Sequence, residues 1–337
     1  MTLGLPLSEQ GLIARYFAPL AKDFPGAYGL RDDAAIVETP VGADLVVTMD
    51  ALVAGVHFFP DDAPADIAWK ALAVNVSDLA AKGATPLAYS LALALPPPPS
   101  AVFLEGFAAG LAEAQAAFGI ALSGGDTTSA RGDALTIAVT AFGTVPRGGI
   151  IRRGGARAGD SLYVSGTIGD AALGLKLRRG DSDASDWPLA DDARHWLVAR
   201  YLRPQPRIAL AAALLAYASA AMDISDGLAI DCRRLCATSG VEATIEASRV
   251  PLSAAVSAII ASDPDLLRAV LTGGDDYEIL FAVRSGEEAA MEQVAASTGV
   301  AVTRVGAITA GAPGLTVLDT DGVSLDLGAG GYDHFAP

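Results

Sequence analysis

The sequence predicts a two-domain protein of mixed α/β (α+β) class, and three observations carry that prediction. The first is length: 337 residues exceed what one ordinary hydrophobic core organises. The second is that strand-length apolar runs alternate with helix-length patterns along the chain. The third is the turn-rich run Val145-Pro146-Arg147-Gly148-Gly149, after which a second strand–helix series begins. A junction near residue 148 follows, dividing the chain into domains 1–147 and 148–337.

Taken in order, Ser8-Glu9-Gln10 reads as a helix start, and residues 1–15 lack the basic-then-apolar pattern of a secretory leader. Strands are predicted over residues 45–49, 87–95 and 135–144, with helices over 66–82 and 102–118 between them. Pro96-Pro97-Pro98-Pro99 can continue neither element and is a rigid connector. Beyond the junction, strands are predicted at 162–165, 277–283 and 302–308, and helices at 205–217 and 228–239. Gly166-Thr167-Ile168-Gly169 matches only part of a dinucleotide fingerprint and reads as a strand-to-helix turn. The polar stretch 178–192 reads as a surface loop without chemistry. The longest apolar run, 208–222, is shorter than the roughly 20 residues a membrane span needs and reads as a buried helix. Abundant Ala and Gly predict thin, closely packed helices, and no solenoid-type repeat is present.

Composition narrows the function classes. Hydrophobic residues make up 52% and charged residues 18%, which suits a well-buried globular protein. A formal net charge of −16 disfavours nucleic acid, whose phosphates are met by Lys and Arg. It leaves phosphate ligands open, because divalent cations bridge two sets of anions. Cys232 and Cys236 are the two cysteines, at helical i,i+4 spacing with no further Cys to complete a zinc site. They read as packed thiols in a reducing compartment, so a cytoplasmic protein is expected.

Five acidic clusters carry the candidate chemistry: Asp32-Asp33; Thr48-Met49-Asp50; Gly124-Gly125-Asp126-Thr127-Thr128; Asp223-Ile224-Ser225-Asp226-Gly227; and Gly273-Gly274-Asp275-Asp276. Asp78 adds a sixth carboxylate, one helical face with Asn75, and Lys82 lies one turn beyond as charge balance. Glycine beside Asp lets the backbone approach a ligand, and Asp supplies the hard oxygen that magnesium prefers. A single Asp-Gly is a turn signal; the recurrence is what points to a metal–phosphate site. The chain has no G-x-x-x-x-G-K-[ST], no H-R-D with D-F-G and no G-x-S-x-G, which removes P-loop enzymes, protein kinases and the commonest hydrolases.

These segments resemble the thiamine-monophosphate kinases. The resemblance rests on Gly29-Leu30-Arg31-Asp32-Asp33, Thr48 through Phe58, Lys70 through Ala81 and Ser123 through Thr128. It continues through Ile224-Ser225-Asp226-Gly227-Leu228, Gly273 through Glu278 and Gly331-Tyr332-Asp333-His334-Phe335. They follow the family's order over nearly the whole chain. Two positions depart: Asp275 stands where the family usually has Glu, and Gly328-Ala329-Gly330 stands where an aromatic often precedes the terminal motif.

The resemblance implies the two-domain fold of aminoimidazole ribonucleotide synthetase, with an N-terminal ATP/magnesium-binding and dimerisation domain and a C-terminal domain completing the site. It implies ATP as co-substrate, several magnesium ions, thiamine monophosphate as acceptor and a homodimer. Magnesium ligands implied are Asp33, Thr48, Met49 through its carbonyl, Asp50, Asp78, Asp126, Asp223 and Asp226. Gly125, Asp126, Arg153 and Ser225 would contact ATP, and His57 and Asp275 the thiamine phosphate. No general base is implied, since a phosphate monoester with a second pKa of about 6 is largely ionised at neutral pH. Another ATP-dependent synthetase of the superfamily, or a non-catalytic relative, is the alternative. A selenophosphate synthetase would need a reactive N-terminal Cys, and the first Cys here is Cys232.

Overall fold

The computed structural model describes residues 8–97, 100–132, 134–328 and 330–332. Part of the N-terminal segment, Pro98 and Pro99 of the connector, Ala329, and Asp333, His334 and Phe335 of the terminal motif lie outside the described residues. The chain forms two compact units, Met1–Leu79 with Ala84–Gly148, and Ala80–Gly83 with Gly149–Pro337.

In the first unit, the Ser8 hydroxyl caps α1 (Glu9–Leu12) by accepting the Gly11 N–H. Then come β1 (Ala43–Val53), α2 (Pro64–Ala81), β2 (Thr85–Leu95), α3 (Ala101–Phe118), β3 (Ala121–Ser129) and β4 (Thr136–Pro146). The sheet order is β1-β4-β2-β3; β4 runs antiparallel to β1 and β2, and β3 runs parallel to β2. Period-two alternation splits β1 between the two faces of the sheet. Val46, Thr48, Asp50 and Leu52 share the face on which α2 lies, where the Asn75 side-chain oxygen accepts the Asp50 N–H. Leu45, Val47 and Met49 share the other face and are 43%, 54% and 63% exposed. The helices are close: a Cβ at Gly110 of α3 would sit 2.4 Å from the Ala65 carbonyl oxygen of α2, and Trp69 meets Phe118 edge-on at 4.9 Å.

The second unit contains β5 (Ser161–Ser165), α4 (Asp170–Arg179), α5 (Asp191–Leu202), α6 (Ala211–Tyr217), β6 (Ala218–Asp223) and α7 (Leu228–Ser239). It continues with β7 (Glu242–Glu246), α8 (Ala254–Ser262), α9 (Leu266–Thr272), β8 (Ile279–Val283), α10 (Glu288–Ser297), β9 (Val302–Thr309) and β10 (Gly314–Leu318). Its sheet has the order β10-β7-β9-β5-β8-β6. Both faces are covered at β5, β8 and β6. Leu162, Val164, Leu280 and Met222 point into a core with α4, α5, α7, α8 and α9, while Tyr163, Phe281 and Ala221 face α6 and α10. That double burial explains the continuous apolar runs of β5 and β8. The excursion Ala80–Gly83 belongs here too: Lys82 donates to the Ala221 carbonyl at 2.7 Å, and a Cβ at Gly83 would strike the Leu215 side chain at 2.7 Å.

Three expectations are corrected. Residues 208–222 do not form one helix: α6 ends at Tyr217 and Ala218–Asp223 is a strand, paired with β8 through Ala221–Phe281 and Met222–Leu280. Sheet pairing overrides the helix propensity of its alanines. The stretch 178–192 is not merely surface, because Ala184 and Trp187 are buried in the core and Arg194 ties three of its carbonyls. Lys82 lies one residue past α2, and its ammonium serves a β6 carbonyl rather than balancing charge along the helix. The Gly166–Gly169 turn does join β5 to α4, with both glycines at positive φ.

Candidate functional site

The predicted site residues fall into three groups. The first lines a cleft of about 510 Å³ in the first unit, where Asp32 and Asp33 face Ser90 and the run Gly124-Gly125-Asp126-Thr127. The glycines sit inside β3, not at a strand end, because β2 pairs with them in parallel through Leu91–Gly125 and Ala92–Asp126. The backbones touch: a Cβ on Gly125 would lie 1.9 Å from the Leu91 carbonyl oxygen. Gly125→Ala is therefore expected to destabilise the fold by about 2 kcal/mol, as overpacking does, checked by thermal unfolding. On the opposite wall, Leu30 (φ 57°) holds left-handed backbone just before the aspartates, as does Tyr28 (φ 50°) two residues earlier in the chain, and the Asp33 N–H donates to Asp32 Oδ1 at 2.8 Å.

The second group lies where β1 meets α2. The Thr48 hydroxyl donates to Asp78 Oδ2 at 2.5 Å, and Asp50 is held by Asn75 through its backbone N–H at 3.0 Å. Asn75 and Asp78 share one helical face, as their spacing predicts. Met49 points to the opposite, exposed face, so only its backbone is available on this side. At the end of β1, His57 Nδ1 accepts the Val53 N–H at 3.0 Å. That bond sets the neutral tautomer with its proton on Nε2.

Within one chain these two groups are apart. The cross-strand row Asp50–Val139–Leu91–Gly125 runs from one edge of the sheet to the other, three strand spacings or roughly 14 Å. Asp33 and Asp126 share a cleft; Thr48, Asp50 and Asp78 share the far edge. Among the described residues, no three Asp, Glu, His or Cys side chains are grouped so as to hold a metal ion.

The third group is in the second unit. Asp223 ends β6, and Ser225 and Asp226 lead into α7. Both backbone N–H groups, at 3.1 and 3.0 Å, donate to Asp231 Oδ2 from the first turn of α7. Burial pushes the Asp231 carboxyl up to about 6. Asp226 is ion-paired with Arg234, which also binds Asp231 at 2.8 Å. The tail supports this loop: the Tyr332 N–H donates to the Asp226 carbonyl at 3.2 Å, and a Cβ on Gly331 would strike Ile230 at 2.1 Å. Arg153 is exposed on a loop whose backbone is tied to Ser239 at the end of α7. Asp275 sits beside Ser225, its N–H donating to the Ser225 carbonyl at 2.8 Å.

Sequence reasoning missed Asp231 and Arg234, and gave no role to Asp276 or Glu278 although both lie in segments it singled out. The available signal for Asp231 is an acid in the first turn after Gly227, a capping position. Asp276 and Glu278 alternate with the outward Asp275 and Tyr277, but that two-residue period is too short to read as a pattern. Burial raises the Asp276 carboxyl well above the usual range, while the Gly169 and Ala171 N–H groups oppose that rise.

The chain matches two family models, "AIR synthase related protein, N-terminal domain" over residues 31–145 and "AIR synthase related protein, C-terminal domain" over 157–317. It is 41% identical to a thiamine-monophosphate kinase of Caulobacter vibrioides over 304 residues, covering 89% of this chain and 84% of that one. It is similar to the solved thiamine-monophosphate kinase of Stenotrophomonas maltophilia, with a TM-score of 0.78 and 41% identity over 88% of this chain and 91% of that one. The structure of AaThiL complexed with AMPPCP and TMP is similar over 99% of this chain and all of that one, with a TM-score of 0.75 and 31% identity. On identity sustained through both domains, the chain belongs to the thiamine-monophosphate kinase family of AIR synthase related proteins.

Proposed function

We propose that this protein transfers the γ-phosphoryl group of ATP directly to thiamine monophosphate, giving thiamine diphosphate and ADP. The observation that carries the reading is the full-length likeness to AaThiL, whose complex holds AMPPCP and TMP. Incubation with ATP, magnesium and thiamine monophosphate, followed by chromatography for thiamine diphosphate, tests it; no diphosphate from folded protein would end the proposal.

The residues divide the work. Gly125 lines the cleft with exposed backbone, suited to a phosphate, and Asp126 stands beside it. Ser225 and Arg153 serve the nucleotide from the second unit. His57, protonated on Nε2, and Asp275 serve the acceptor as hydrogen-bonding groups. The acceptor's own ionised phosphate is the nucleophile, so no side chain need take a proton. The donors Asp33, Thr48, Met49 through its carbonyl, Asp50, Asp78, Asp126 and Asp223 offer hard oxygen and fit magnesium. A closed cage of three carboxylates is not required of them, because magnesium keeps waters and takes phosphate oxygens. Bound there, it would neutralise phosphate charge as the group moves in line. Asp226 enters this set with Arg234 on its carboxylate, so magnesium there competes with a guanidinium.

The working form is a cytoplasmic homodimer, paired through the first unit. The exposed apolar face of β1 supports the pairing. Two copies joined there would also let the β3 edge of one meet the β1 edge of the other, uniting donors that a single chain keeps apart. The inactive variants Asp126→Asn and Asp50→Asn, refolded together, are then expected to recover roughly a quarter of native activity, because half the dimers carry one intact site. Activity no higher than that of either variant alone would count against shared sites.

A further inference from the structure

The segment from Gly273 to Glu278 carries two non-glycine residues in left-handed backbone, Asp275 at φ 71° and Tyr277 at φ 50°. Such residues persist only where the surroundings over-determine them. Here three 2.8 Å backbone hydrogen bonds join the segment to its neighbour: Asp275 N–H to Ser225 O, Tyr277 N–H to Ile224 O, and Ile224 N–H to Glu278 O. The glycines allow the approach, since a Cβ on Gly274 would lie 2.4 Å from the Ser225 carbonyl oxygen.

The alternate residues point inward and are fully engaged. Asp276, 1% exposed, accepts the Gly169 and Ala171 N–H groups at 2.8 and 3.2 Å, at the start of α4. Glu278, wholly buried, accepts Arg207 Nε at 2.7 Å, a second Arg207 nitrogen, Arg200 at 2.9 Å and the Ser165 hydroxyl at 2.6 Å. Apolar packing would fasten a loop at lower desolvation cost than a buried carboxylate held by two guanidinium groups. What such directional anchors add is fixed geometry, and they fix it immediately after Asp275, while the close approach of Gly274 to Ser225 fixes it immediately before.

We propose that Asp276 and Glu278 are positioning residues for the acceptor: their inward anchors hold Asp275 in left-handed backbone so that its carboxylate meets the acceptor in one orientation. The inference rests on the acceptor-side reading of Asp275 given above. A kinetic cycle on the full-length enzyme tests it, with KM measured separately for thiamine monophosphate and ATP in the parent, Asp275→Ala, Asp276→Asn and the double variant. Asp276→Asn is expected to raise KM for the acceptor on the order of tenfold and leave KM for ATP within about twofold. In the Asp275→Ala background the same change is expected to add nothing, an outcome that a merely structural role does not produce. Multiplying effects, or equal rises in both KM values, overturn the positioning role alone. A silent Asp275→Ala overturns the acceptor reading and the positioning role together. If Asp276→Asn does not fold, Arg207→Lys takes its place in the cycle, since it keeps the charge on Glu278 and loses the two-nitrogen fork.

Discussion

Asp126→Asn is expected to lower turnover on the order of 10³-fold, the scale of losing a charge-stabilising group at a reacting phosphate. The melting temperature should stay within about 2 °C of the parent. The two outcomes separate because Asp126 is exposed in the cleft and, among the described residues, no hydrogen bond ties its carboxylate to the fold. The carboxamide keeps the shape of the side chain and removes its charge. Its neighbour Gly125 is the opposite case, where substitution acts first on the packing against Leu91. Steady-state turnover at saturating magnesium decides the matter, and near-native turnover there would remove Asp126 from the proposed donor set.

The double substitution Val47→Asp with Phe142→Asp is expected to weaken self-association on the order of 10³-fold, about 4 kcal/mol. Val47 and Phe142 are cross-strand partners on the exposed face of the first sheet. Two carboxylates placed there would face their own copies across a two-fold axis, unpaired and removed from water. The monomer should fold, because that face of the sheet is not its core. Sedimentation against concentration measures the change; an unaltered dimer would place the interface elsewhere.

Much of the fold was legible in local pattern. Strands β1 and β4 and helices α3 and α7 follow from apolar periodicity, since each buries a regular face, while β2, β9 and the almost wholly buried α2 follow from apolar runs of strand or helix length. What was not legible depends on partners distant in sequence. β3 reads as a glycine-rich loop until β2 supplies its ladder, and the alanines of β6 become a strand only against β8. The site divides the same way. Each acidic cluster is visible by composition, but sheet order alone reveals that Asp50 and Asp126 occupy opposite edges. Glu278 reads as one acid among many until the fold brings Arg200, 78 residues away, and Arg207, 71 residues away, onto it.

The excursion Ala80–Gly83 has a consequence for dissecting the molecule. The chain leaves the first unit after Leu79, returns at Ala84, and departs again after Gly148. Neither unit is therefore a contiguous stretch of polypeptide. A fragment begun at the junction lacks four residues that close one face of its own core, including Lys82, the donor to the Ala221 carbonyl. On the ribosome, that short piece of the second unit emerges before nearly all of the unit it completes, and must wait, tethered at the end of α2, for β6 to be made.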